Sequence, residues 1–157
     1  MPSSDAVTTL RAEERAILIQ IASMIVESAK SFASWSKNIS NAFDISTVTE
    51  LAEGMFITIG NKAPEALAFE RGSGIHGPSG EKYPIMPKNG AALVFPGTHE
   101  RAGQTIVTAL VQHPGVAARP FLHPANEAIR PIAMEMLKQA VGDSVRLPIR
   151  EMWNKNA

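Results

Sequence analysis

Residues 111–125 constrain this chain more than any other stretch. They read Val-Gln-His-Pro-Gly-Val-Ala-Ala-Arg-Pro-Phe-Leu-His-Pro-Ala and join an apolar, strand-like run to a long helical segment. Pro114 fixes its own φ and pushes His113 into an extended conformation. Gly115 takes φ > 0 freely, so Pro114-Gly115 fits the centre of a type II turn. Pro120 holds Arg119 extended in turn. Pro124 has no N–H to give, which suits the first turn of a helix. Phe121 and Leu122 are a large apolar pair at the entry to that helix. No catalytic group is forced by this pattern. The expected job of the junction is to fix how one helix leaves a sheet. Phe121→Ala should then cost about 3–5 kcal/mol if the ring is buried, and less than about 1 kcal/mol if it is an exposed docking residue.

The rest of the chain supplies elements for that junction to connect. Residues 6–33 read as one amphipathic helix: Val7, Leu10, Ile17, Ile21, Met24, Ile25 and Phe32 recur at three- and four-residue steps. Ser4 or Asp5 can cap its start. At 1.5 Å per residue it would span about 40 Å: the first expectation is a helix packed along a sheet, the second a helix whose one end overhangs and packs on a neighbouring subunit. Residues 42–45 alternate like a short strand. Residues 54–60 are apolar, β-branched and bounded by glycines, which predicts a strand. Pro64 suits the first turn of a short helix to about Glu70. Residues 83–95 predict a hairpin turning at Lys88-Asn89-Gly90, since Asn-Gly tolerates φ > 0. Residues 105–111 predict a last strand. Residues 124–141 predict a helix with an apolar stripe of Ile129, Ile132, Ala133, Met136, Leu137 and Ala140, closed by Gly142 at C′. Residues 143–157 show no period and are expected to form an extended tail in which Trp153 docks or lies exposed. The expected fold is α+β: an antiparallel sheet of about four strands packed by a long N-terminal and a C-terminal helix, in a single domain over residues 1–157.

Residues 71–82 are the most loop-like stretch, with four glycines, Gly72, Gly74, Gly77 and Gly80, around His76. No Gly-x-x-x-x-Gly-Lys-Ser/Thr spacing occurs, so a phosphate loop is not expected. In a ring-forming protein this loop could reach over a neighbour. The four histidines, His76, His99, His113 and His123, show no His-x-x-x-His pairing, and no Gly-x-Ser-x-Gly elbow is present. With no cysteine, thiolate chemistry and disulfides are excluded. No catalytic, cofactor or metal site is therefore expected, and no enzymatic activity. The 15 basic and 15 acidic side chains cancel, which argues against a general nucleic-acid binder and removes the self-repulsion that keeps copies apart. No apolar run reaches membrane-spanning length, and the N-terminus predicts no secretion signal.

Three stretches, in order, resemble one family. Ala63-Pro64-Glu65-Ala66-Leu67-Ala68-Phe69-Glu70-Arg71-Gly72 is similar to a segment in which an aromatic-rich turn leads to a glutamate and a glycine. Tyr83-Pro84-Ile85-Met86-Pro87-Lys88-Asn89-Gly90-Ala91-Ala92-Leu93-Val94-Phe95 looks like a central hairpin. His113-Pro114-Gly115, then Arg119-Pro120-Phe121-Leu122 and Pro124-Ala125, looks like the C-terminal signature. The family is that of the tailed-phage neck and tail-completion proteins, the small tail components encoded beside the head–tail connector genes of long-tailed phages. The family usually carries Pro-Tyr-Ala where this chain has Pro64-Glu65-Ala66. The resemblance implies a structural virion protein at the head–tail junction, assembled in the host cytoplasm. Its partners would be copies of itself in a six- or twelve-fold ring, the connector, and the tail-tube or terminator proteins. Phage DNA would pass through the lumen without sequence-specific binding. The alternative is a non-phage protein- or peptide-binding module of the same α+β fold.

Overall fold

A computed structural model describes the backbone of residues 4–51 and 54–155 and the side chains of residues 8–51 and 54–140. The side chains of Ser4, Asp5, Val7 and Trp153 lie outside the described residues. Residues 1–66 with 120–157 form one compact unit and residues 67–119 another.

The first unit is built on helix α1 (Ser4–Phe32) and helix α4 (Leu122–Lys155), which pack on each other. The buried stripe of α1 is Ala22, Val26 and Ala29, in steps of four and three on one face, with Ile21 beside it and Ala33 just past the helix end. Small alanines let a neighbour approach closely, and α4 contributes the fully buried Ala125 just after Phe121. Burial fades away from these ends. In α4, Ile129, Ala133, Met136 and Ala140 are half-buried, while Ile132 and Leu137 of the expected stripe are exposed. Helix α4 runs through Gly142 to Lys155, so residues 143–155 continue it and are not an extended tail. A helical glycine costs only about 1 kcal/mol against alanine and does not by itself end a helix.

Between these helices the chain forms the short helix α2 (Lys37–Asn41), capped by Ser36, whose Oγ accepts from the Ile39 N–H at 3.3 Å. Ile39 is fully buried. Four strands follow: β1 (Phe43–Ile45), β2 (Thr49–Leu51), β3 (Gly54–Phe56) and β4 (Ile59–Asn61). β1 pairs with β4 and β2 with β3, both antiparallel, so this is one hairpin interrupted partway. The strand expected over 54–60 is thus broken at Ile57-Thr58. There Ser46 and Thr58 bond twice: the Ser46 N–H donates to Thr58 O, and Ser46 Oγ accepts from the Thr58 N–H, each at 2.9 Å. Asn61 then ties the hairpin to α2: its Nδ2 donates to Ile39 O at 2.8 Å and its Oδ1 accepts from Ala63 N at 3.0 Å.

The second unit begins within helix α3 (Ala66–Arg71) and holds β5 (Tyr83–Ile85), β6 (Leu93–Pro96), β7 (Thr105–Thr108) and β8 (Val111–His113). β5 pairs with β8 and β6 with β7, again one antiparallel hairpin with a break, here residues 86–92 against 109–110. The α+β class is as expected, but the strands make four two-stranded ladders instead of one four-stranded sheet. The expected 83–95 hairpin does not form, because β5 and β6 belong to different ladders. A two-residue turn of the Asn-Gly kind needs φ > 0 at both central residues. Gly90 has φ +119°, but Asn89 is not among the residues with positive φ. Pro84 and Pro87 also remove two donors from the first arm. The strand expected over 105–111 is split in the same way.

Candidate functional site

Two stretches singled out in the sequence meet inside the second unit. The Ser73 N–H donates to Val116 O at 2.9 Å, and the Ile75 N–H to Pro114 O at 2.8 Å. In return the Val116 N–H donates to Ser73 Oγ at 3.0 Å, across 43 residues of sequence. The backbones touch because neither carries a side chain at the crossing. A Cβ on Gly74 would stand 2.2 Å from Pro114 O, and one on Gly115 would stand 1.9 Å from Ser73 O. Both glycines are left-handed, at φ +60° and +91°, the second as a type II turn requires after Pro114.

His113 closes the clasp. Its Nδ1 accepts from the Gly115 N–H at 2.9 Å, which places the proton of the neutral ring on Nε2. The ring lies against Tyr83, its cross-strand partner, with centroids 5.2 Å apart and planes tilted by 34°. Arg119 donates its backbone N–H to Phe69 O at 2.6 Å, so both ends of the glycine loop are held. Gly77 and Gly80 continue it through successive turns, Gly77 N–H to Gly74 O and Gly80 N–H to Gly77 O, each at 3.1 Å. Gly72 and Gly74 are buried and His76 is exposed. The loop expected to reach over a neighbour is bonded to its own chain over its first half, while Ile75, His76 and residues 78–82 are exposed.

The rest of the junction lies in the first unit. Pro120 and His123 are exposed, Leu122 and Pro124 half-buried, and Phe121 is 2% exposed. Phe121 meets Phe43 edge to face, with centroids 5.8 Å apart at 84°, so the ring anchors the start of α4 on β1. It is a core residue, and the larger of the two expected costs applies to its removal. Pro124 sits in the first turn of α4, as expected.

Sequence reasoning missed the alanine stripe, Ile39 and the Asn61 bridge, and also the partner of the Pro-Gly turn. An open groove of about 450 Å³ between α1 and β1 has Val26 and Phe43 on its floor and charged side chains on its rim. Lys30 there pairs with Glu27 at 2.7 Å, and Asp44 with Lys62 at 2.8 Å, so the rim charges are satisfied by the protein itself. Among the described residues no group of three His, Asp or Glu could hold a metal ion, and no helix is long and apolar enough to cross a membrane.

The ladders themselves are the remaining feature. Of residues 67–119 only Gly72, Gly74 and Gly97 are buried, so this unit encloses no apolar side chain. Val94 and Val107, opposite each other on β6 and β7, are 67% and 64% exposed. In the first unit Leu51 and Phe56 are exposed on β2 and β3. Glu50, next to Leu51 in sequence, is bound by Arg15 and Arg11 of α1. The hydrogen bond from Arg15 is the main reason that its carboxyl titrates below the ordinary glutamate value. What this arrangement offers is shape and apolar area, with the backbone held rigid behind it. No family model, curated protein or solved structure matches the chain.

Proposed function

We propose that this chain is a structural assembly protein. Copies join into a ring at the head–tail junction of a long-tailed phage, completing the neck or the tail end between the connector and the tail tube. The main support is the make-up of residues 67–119. A two-stranded ladder is marginal in water by itself, and ordering each residue costs about 1–2 kcal/mol of backbone entropy. A 53-residue stretch with two such ladders and no buried apolar side chain gains its burial from other molecules. The resemblance over residues 63–72, 83–95 and 113–125 is the ground for the kind of assembly proposed. The clasp of Gly74 on Gly115 gives the His-Pro-Gly part of that resemblance a physical reason, because it stiffens the unit that must dock. A net charge of zero leaves copies free to associate.

The test is a stop codon early in the gene, with the lysate viewed by negative-stain electron microscopy. DNA-filled heads beside separate tails, or tails of uncontrolled length, are expected. Intact, infectious particles would overturn the assignment. The second reading, a peptide- or protein-binding module, would then lead. It is favoured by one observation: among the described residues every strand has an unpaired edge, to which an extended peptide can add.

A further inference from the structure

We infer that Asn89-Gly90 is a self-modifying site, at which the Gly90 backbone nitrogen displaces ammonia from the Asn89 side chain and water then leaves an aspartyl or isoaspartyl residue. The inference stands apart from the assembly role proposed above. Sequence supplies the first half of the argument. Of the seven asparagines in the chain, Asn89 alone precedes a glycine. With no Cβ beside the attacking nitrogen, glycine leaves the approach to the asparagine Cγ open and lets the backbone turn to reach it. Nucleophile and target belong to one dipeptide, so the attack is intramolecular and needs only the right geometry.

The fold supplies the second half, because it leaves this nitrogen free and holds its counterparts. The N–H after Asn38 donates to Ser36 Oγ at 3.3 Å. Those after Asn41 and Asn61 donate to Ile39 O at 3.2 Å and to Ala42 O at 2.8 Å. Asn126 lies inside α4, where the next N–H belongs to the bonding of the helix itself. The side-chain amides of Asn38 and Asn61 are engaged as well, the first with Glu65 and the second with Ile39 O and Ala63 N. Asn89 and Gly90 lie between β5 and β6, outside both ladders, and make no hydrogen bond among the described residues. Both are exposed, and a carbon added to Gly90 would meet nothing within 4 Å. Because the 83–95 hairpin does not form, no two-residue turn locks this dipeptide.

The step balances with water as the only co-reactant. The Gly90 N–H gives its proton to solvent, and the nitrogen forms a bond to Asn89 Cγ. The Cγ–Nδ2 bond breaks, and Nδ2 takes up a proton and leaves as ammonia. This closes a cyclic imide through Asn89 Cα, Cβ, Cγ, the Asn89 main-chain carbonyl carbon and the Gly90 nitrogen. Water then cleaves either N–C bond of the imide. Cleavage at Cγ restores the main chain and leaves aspartate. Cleavage at the main-chain carbonyl leaves isoaspartate, whose chain runs through Cβ and Cγ. No atom is oxidised or reduced. Either product sets a new carboxylate next to Lys88 in sequence, and the isoaspartate lengthens by one carbon the link between β5 and β6.

The test is mass spectrometry of the full chain held folded in mildly alkaline buffer. Samples taken over time are cut after glutamate in acid buffer, which releases residues 82–100 with the dipeptide away from either end. The mass gain of an amide-to-acid exchange should build up in this peptide, as isoaspartate and aspartate together, with ammonia released in equal amount. The peptides that hold Asn38, Asn41, Asn61 and Asn126 should stay unchanged meanwhile. Asn89→Gln should abolish the gain, since the longer side chain would have to close a larger ring. The folded chain should react within about twofold of the rate of a synthetic peptide of residues 82–100, because an exposed loop opens at almost no cost. A folded chain slower than that peptide by about tenfold or more would show that the fold protects the site and would overturn the inference. So would a gain that arises first at another asparagine.

Discussion

At Gly115 a single methyl group decides whether the clasp closes. The added carbon would meet Ser73 O at 1.9 Å, against backbone that cannot rotate away. It would also impose a side chain at φ +91°. Gly115→Ala should therefore lose the Ser73 and Ile75 bonds together, about 1 kcal/mol each, on top of about 1–2 kcal/mol of backbone strain. We expect a loss of about 3–4 kcal/mol in urea unfolding. Gly80→Ala is the control, because nothing lies within 4 Å of its added carbon and only the φ of +67° is penalised. Equal losses for the two would show that strain alone, and not the crossing, makes Gly115 a glycine. The turn at Pro114-Gly115 was legible in the sequence because the preferences of both residues are local. Its partner was not, since a hydroxyl 43 residues away leaves no mark on the intervening pattern. The part played by His113 was also missed. The usable signal was a polar side chain two residues before a backbone N–H in a turn, the spacing by which Asn and Asp bond their own main chain.

Helices were easier to read than strands, and the reason is the reach of each pattern. Over the 29 residues of α1 a three-and-four period recurs several times, whereas a three-residue strand is set by what it pairs with. The Asn89-Gly90 dipeptide signalled a hairpin that Pro84 and Pro87 could not complete. The contiguous apolar run over 54–60 hid the break at Thr58, which depends on Ser46. Large residues suggested the stripe of α1, yet Ala22 and Ala29 are its most deeply buried positions, because close packing admits small side chains that a hydrophobic pattern underweights. The orientation of β2–β3 turns on one ion pair, and that can be tested by pH. Glu50 titrates below its ordinary value, mainly through the Arg15 hydrogen bond. A depressed folded value means that the ionised form stabilises the fold. That contribution is complete above the ordinary glutamate value of about 4.3 and is lost as pH falls through the folded value. Thermal unfolding of wild type and Glu50→Gln should differ at pH 7 and converge at acid pH. Since the group is solvent-exposed, the gap should be small and should shrink with added salt. A gap that persists unchanged below the folded value would mean that shape, and not charge, holds Glu50 to α1.

Considered as a whole molecule, the chain distributes its burial unevenly, and this has a thermodynamic consequence. Every buried apolar side chain among the described residues lies within 21–66 or at 121 and 125. Residues 67–119 enclose no fully buried apolar side chain, and in the assembly proposed above they draw stability from a neighbouring copy. Anything that binds the folded but not the unfolded state raises the unfolding temperature by mass action, and here the ligand is the protein itself. If each copy gains one contact on self-assembly, each tenfold increase in concentration is worth about 1.4 kcal/mol. A chain of this size shifts by about 2–4 °C per kcal/mol, so Tm should rise by roughly 3–5 °C per tenfold dilution reversed. The rise should vanish when Val94 and Val107 are both changed to Asp, while the low-concentration Tm stays where it was, because both positions are exposed in the single chain. A wild-type Tm that does not depend on concentration over three decades would mean that residues 67–119 are stable without a neighbour. Their exposed valines would then need a partner other than this chain.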